Sequence, residues 1–446
     1  GLNVGSKGAL SFTEGVAVET EDLGVKGNVK SESAAIVAKD VGVKGTMSLA
    51  MNSTLETVEL RSDPEGSISV SHSEIKTEVM AMKGDTVASS AKVESVKATF
   101  GKGSVSSFVG KSELVVAEAT LDPGAEFTVK EGSSLESVSF TAKADTVMAI
   151  SGSSVKADSL ALAGDMSASN ATLVSTTLDM SGIGSAQMES ISIETETTTL
   201  QGNSAFNTDK GTVLKTDTMK TSASTQVSLT KSTIDAKEEL SVGGGMSATQ
   251  ATIEAPVLSL DDSSTVSFEE TVVDVDSADV QGSLAVNGGS TFKTRSFTTE
   301  TKSNVSLTGA SLSATEKIGI KGSMAISNTV VEAPSVSFDS VTKTTFVSSR
   351  LDVGSASVVG GLDATEGTLI TAVTFVSEQA SDVTLSGVDL SATSKVTLSG
   401  DMSAQGTTIQ APELDLSAAQ KIFGYFDKSQ LIDLFQLIFE GKETEV

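Results

Sequence analysis

The 446-residue chain carries 58 acidic against 31 basic residues, a formal net charge of −27, with no cysteine, no tryptophan and a single histidine. That balance repels a nucleic-acid backbone, and the missing thiols exclude a disulfide framework, a thiolate nucleophile and a thiolate metal site. Serine and threonine number 70 and 52, yet with 38% hydrophobic residues the chain is too apolar to remain a solvated polyelectrolyte.

The first residues, Gly1-Leu-Asn-Val, show neither the basic nor the apolar region of a signal peptide, so any such peptide is expected to have been removed or to lie outside this sequence. Before residue 420 no apolar run approaches the ~18 residues that span a bilayer, and no transmembrane segment is expected.

From Ala9-Leu10-Ser11-Phe12 onward the chain repeats itself. Gly164-Asp-Met-Ser-Ala returns as Gly400-Asp-Met-Ser-Ala, with Gly244-Gly-Met-Ser-Ala and Gly322-Ser-Met-Ala-Ile between them. Related starts at Gly45, Gly84, Gly124, Gly202, Gly282 and Gly361, with weaker copies halfway between, reduce to about 21 units of about 20 residues each. Within a unit the apolar residues fall in three pairs. From Gly164 they are Met166 and Ala168, Leu173 and Ser175, Leu178 and Met180. From Gly244 they are Met246 and Ala248, Ile253 and Ala255, Leu258 and Leu260; from Gly322, Met324 and Ile326, Val331 and Ala333, Val336 and Phe338. The intervening units are read the same way, with Val147 and Ala149 then Val155 and Ala157, or Val383 and Leu385 then Val388 and Leu390.

A gap of two is the period of a strand, and Gly, Ser, Asn and Asp punctuate the pairs as short turns require. Three short strands per unit, each stacked on its equivalent in the next, predict an all-β fold: a three-sided parallel β-helix over residues 1–416. Units of variable length, rather than strict hexapeptides, favour a right-handed helix. Twenty steps at the ~4.8 Å strand spacing give a rod about 96 Å long.

After Pro412 the pattern changes. Residues 418–440 hold 4 of the 16 Phe and the only Tyr. Ser417 with Gln420, and Asp427 with Gln430, have capping-box spacing, which predicts two short helices joined near Asp427, followed by an acidic tail to residue 446. Leu431, Leu434, Phe435 and Ile438 share one face of the second helix. These helices are expected to cover the end of the β-helix or to dock on a protein partner, with Phe423, Phe426, Leu431, Leu434, Phe435 and Ile438 as contact residues. The first coil, its edge open, is the other expected point of self-association or of contact with further structural subunits.

Candidates for chemistry are few. His72 has no neighbouring His or Cys in sequence and reads as a surface residue, and the three arginines, Arg61, Arg295 and Arg350, are far apart. No catalytic set, metal site or cofactor site is expected. Asp261-Asp262 and Asp274-Val-Asp276 offer oxygen ligands but read as solvated surface. Gly243-Gly-Gly245 and Gly360-Gly361 read as corners rather than phosphate loops. Thr197-Thr-Thr199 and Thr298-Thr299 do not recur as the Thr-x-Thr rows of an ice-binding face.

In periodicity and composition, residues 8–416 resemble the β-solenoid surface proteins: adhesin stalks, filamentous-haemagglutinin-like passengers, and fibre or sheath subunits. That resemblance implies an extracellular structural role, a rod within a filament, sheath or appendage, and the scattered carboxylates, separated arginines and lone histidine lead to the expectation that the chain is not an enzyme. An adhesin or receptor- or glycan-binding fibre is the alternative, ahead of a polysaccharide-degrading enzyme.

Overall fold

In the computed structural model the alternation becomes strands coil after coil. The structure describes residues 1–182, 184–339 and 343–416, together with the backbone of Lys421–Tyr425. They form two compact units, Gly1–Gly245 and Met246–Val446. Each is a parallel β-solenoid, with about 20 turns in all and no helix among the described residues.

One coil of the first unit shows how the sequence dictates the shape. The strand Asp85–Ser89 turns Thr86 and Ala88 inward. Ser90 makes a corner, and the nine-residue strand Lys92–Phe100 follows. That strand is bent: Val93 and Ser95 face inward, Val96 and Lys97 are both exposed, then Ala98 and Phe100 face inward again. Two successive outward residues break the period of two, and the pairing register with both neighbouring strands skips Val96. The long strand therefore supplies two faces and the short strand the third, giving the expected three sides. In the second unit Ser283–Asn287 and Thr291–Thr299 repeat the plan, burying Leu284 and Val286, Phe292 and Thr294, Phe297 and Thr299.

Coils stack in register, so each inward position becomes a column. In the first unit one column runs Leu23, Val41, Leu60, Met80, Ala98, Ala119, Phe140, Leu160 and Leu178. It continues through Thr198, Met219 and Leu240. Burying a Leu or Met side chain contributes roughly 1.5–3 kcal/mol, but only when the next coil covers it, so stability resides in the stacking. Volume is traded between columns. Where the coils hold Ala88, Thr86, Ser106, Ala98 and Ala119, three phenylalanines fill the space around Phe127: Phe100, Phe108 and Phe140, with ring centres 5.1, 5.5 and 5.7 Å away.

The structure places the pairs from Gly164, Gly244 and Gly322 in the core as expected. It corrects the reading in two coils. Met148 and Ile150 are the inward pair, while Val147 is 48% exposed, a one-residue slip that reverses every side chain. Val388 is buried at a corner, and the strand pair is Leu390 with Ala392.

The two turns that join long and short strands use different physics. Leaving the long strand, the chain approaches the preceding coil so closely that a β-carbon at Gly84 would lie 1.9 Å from the Gly66 carbonyl oxygen, and one at Gly45 would lie 2.1 Å from that of Gly27. Leaving the short strand, one residue adopts the left-handed conformation in coil after coil. The residue is often not glycine: Ser90, Asn170, Lys231 and Gln250 have φ of 51°, 48°, 49° and 53°. Hydrogen bonds between coils hold them there, with the Ser90 N–H donating to Val109 O at 3.1 Å and the Asn170 N–H to Glu189 O at 3.0 Å.

The residue after this corner is buried and is commonly Ser or Thr. Ser112 is typical. Its hydroxyl donates to Val109 O of its own coil (2.7 Å) and accepts from the Ala91 N–H of the coil before (3.2 Å), while the Ser112 N–H donates to the Ser133 hydroxyl of the coil after (3.1 Å). In the second unit the Thr271 N–H donates to Ser290 Oγ at 3.0 Å, and the Thr329 N–H to Ser349 Oγ at 3.3 Å. The column satisfies backbone donors that the corner removes from the strand ladder.

At the end of the second unit the backbone of Lys421–Tyr425 continues the short-strand face, pairing parallel with Asp401–Gln405 in the register Met402 to Ile422 and Ala404 to Gly424. The first of the two expected terminal helices is therefore replaced, over these residues, by a strand. Ile, Phe and Tyr favour extended structure, and the edge of Asp401–Gln405 supplies the hydrogen-bonding partners that a capping box cannot outweigh. The second expected helix lies outside the described residues.

Candidate functional site

Outward positions also form columns, and at the bend of the long strands in the first unit they enclose a groove of about 900 Å³. The outward residue before the bend is, in successive coils, Glu19, Val37, Glu56, Lys76, Glu94 and Val115. The residue at the bend is Glu21, Lys39, Val58, Glu78 and Val96, and Ala38, Thr57, Thr77 and Ser95 form the floor.

The floor hydroxyls stabilise the bend. Thr57 Oγ1 lies 3.0 Å from Lys39 O and 3.1 Å from Glu59 O; Thr77 Oγ1 lies 3.2 Å from Val58 O and 2.9 Å from Val79 O. Ser95 Oγ lies 3.3 Å from Glu78 O and 2.9 Å from Lys97 O. Their protons are committed to backbone carbonyls, so they are structural and not nucleophilic.

The walls are apolar and acidic. Val37, Val58 and Val96 are 44%, 43% and 60% exposed. Five carboxylates face two ammonium groups, Lys39 and Lys76, and Lys76 Nζ is drawn to Glu74 at 3.3 Å. Lys92 pairs with Glu94, which holds the Glu94 carboxyl below its ordinary range and raises the Lys92 ammonium above its own. No ion pair engages Glu19, Glu21, Glu56 or Glu78 among the described residues. The groove thus combines exposed apolar side chains with an excess of carboxylates.

Elsewhere, surface charges pair between coils: Lys143 with Asp122 at 2.7 Å, Lys156 with Glu136 at 3.1 Å and, in the second unit, Lys395 with Glu413 at 2.7 Å. Burial pushes the Asp179 carboxyl above its ordinary range. His72 sits exposed at a left-handed corner with Ser71 Oγ 3.0 Å from its Nδ1. Arg61, Arg295 and Arg350 pair with Glu59, Glu316 and Asp352 respectively. Among the described residues no three His, Cys, Asp or Glu side chains gather as metal ligands, and no helix is long and apolar enough to cross a membrane. Of the contact residues expected at the C-terminus, Phe423 lies on the terminal strand opposite Ser403. Phe426, Leu431, Leu434, Phe435 and Ile438 lie outside the described residues.

Comparison with family models, with curated proteins and with solved structures finds no match to this chain.

Proposed function

We propose that the chain is a non-enzymatic structural element, a segment of an extracellular filament, sheath or appendage. The observation that carries this reading is the coil-to-coil stacking within each unit, in which backbone ladders, apolar columns and buried hydroxyls continue past local register shifts at the bend such as those at Thr216/Thr218 and Ser313/Lys317. Such an arrangement resists extension and bending through many parallel hydrogen bonds. The acidic surface, at −27 overall, supports the reading because it limits lateral aggregation of a repeat protein. Association through the terminal strand region that includes Phe423, with other structural subunits or further copies, belongs to the same proposal.

Electron microscopy of the purified full chain over a range of concentrations, with sedimentation velocity in parallel, tests it. Filaments or end-to-end oligomers are expected, and isolated particles at every concentration would overturn it. A second reading, an adhesin or binding fibre, is favoured by the groove at the bend of the first unit, and it predicts ligand capture by a stable monomer.

A further inference from the structure

The groove in the first unit has a regular charge pattern that a structural role does not require. Glu19, Glu56 and Glu94 stand in one column with one coil between each, occupied by Val37 and by Lys76. Coils are about 4.8 Å apart, so these carboxylates recur at about 9.6 Å, and one three-residue turn of a chain in the extended polyproline II conformation, which returns every third side chain to the same side, advances about 9.3 Å. A Lys or Arg at every third position would therefore meet a carboxylate each time. The two residues between would pass Val37, Val58 and Val96, whose exposed methyl groups offer apolar contact.

We propose that this groove docks an extended basic peptide segment, with a cation at every third residue and small apolar residues between, lying along the solenoid axis and across the strands. Charge complementarity selects this occupant. The groove has a surplus of three carboxylates over ammonium groups, and Glu19 and Glu56 are free of internal ion pairs among the described residues. A second copy of a chain with net charge −27, a nucleic acid or an acidic polysaccharide would be repelled. The inference is independent of the filament reading, since it concerns the side of a coil stack and not its ends.

The test uses the full chain and fluorescein-labelled peptides read by anisotropy at physiological salt. The probe repeats Lys-Thr-Val three times; a control has the same composition with its three lysines contiguous. Saturable binding of the probe is expected, at least fivefold tighter than the control. Glu56→Gln combined with Glu78→Gln should weaken it about tenfold, as should Val58→Lys, while Glu194→Gln, in the same column beyond the groove, should leave it unchanged. Circular dichroism confirms that each variant is folded. Equal binding of the two peptides, equal displacement by spermine at matched charge, or indifference to Glu56, Glu78 and Val58 would overturn the proposal. Self-association that these same substitutions abolish would overturn it in favour of a second copy.

Discussion

The flat faces and the corners of the coils are built on opposite terms. On a face, the inward column accepts Leu, Val, Met, Ala, Phe and even Thr198, because neighbouring columns take up the difference in volume. Thr198 is completely buried and survives there because its hydroxyl lies 2.8 Å from that of Thr195 and 3.4 Å from that of Thr216. At a corner no pooling is possible. Each coil must place one backbone group against one partner in the next, so the requirement is local and geometric. Faces thus tolerate exchange as long as total volume is kept, whereas corners tolerate only residues that meet a particular distance or bond.

Substitutions can separate these two regimes. The largest effect is expected where a face has least slack: Phe127→Ala removes a ring packed on three others and should cost about 4 kcal/mol, seen as lost amide protection in the coils from Asp85 to Leu162 by hydrogen exchange. Phe127→Leu, which keeps most of the volume, should cost about 1 kcal/mol. At the tight corner, Gly84→Ala inserts a single carbon yet should cost about 3 kcal/mol, because the Gly66 carbonyl stands 1.9 Å from where it must go and is backbone. Equal tolerance of alanine at Gly84 and at exposed Gly42, where a β-carbon meets nothing within 4 Å, would contradict the distinction. Third, Ser112→Ala leaves the Ala91 N–H buried without its acceptor and should cost about 1–2 kcal/mol in urea unfolding.

Surface charge should matter least. The carboxyl of Asp179 is raised by burial, so its ionised form is disfavoured in the folded state. In acid, below the ordinary carboxyl range near 3.9, the group is protonated in both states and the penalty is absent; the penalty grows as pH rises through that value. Asp179→Thr, matching Thr199 in the next coil, should therefore stabilise by about 0.5 kcal/mol at neutral pH, with the gain vanishing near pH 3 in thermal melts. Breaking the Lys156–Glu136 pair by Lys156→Met should change stability by about 0.5 kcal/mol or less, and less still in high salt.

The same contrast explains what could be read from the sequence. Faces announce themselves, because a period of two in apolar residues has few other causes, and Met324 with Ile326 or Leu258 with Leu260 are recognisable at sight. Corners do not. In a chain with 70 serines the buried hydroxyl of Ser112 looks like any outward serine, and left-handed corners filled by Ser90, Lys231 or Gln250 lack the glycine or asparagine that normally marks positive φ. Where polar spacing was ambiguous, as at Val147, the pattern could be entered one residue out of step. At Lys421–Tyr425, helical capping signals competed with β-favouring side chains, and the unfilled edge of the preceding strand decided between them. The groove was invisible for a different reason: Glu19, Glu56 and Glu94 are brought into one column only by the stacking of coils, although valines at outward strand positions were a signal that surface there was being kept apolar.

Because each column continues through any coil that presents the same inward and corner positions, one turn is interchangeable with another as a building block. Removal of a complete turn within the first unit, such as residues 46–66, which carries none of the clustered phenylalanines, would join Gly45 to Ser67 and stack strand Ser67–Ser71 on Asn28–Glu32. Length is then a quantity that duplication or loss of whole turns could tune by steps of about 4.8 Å without redesign of the remainder.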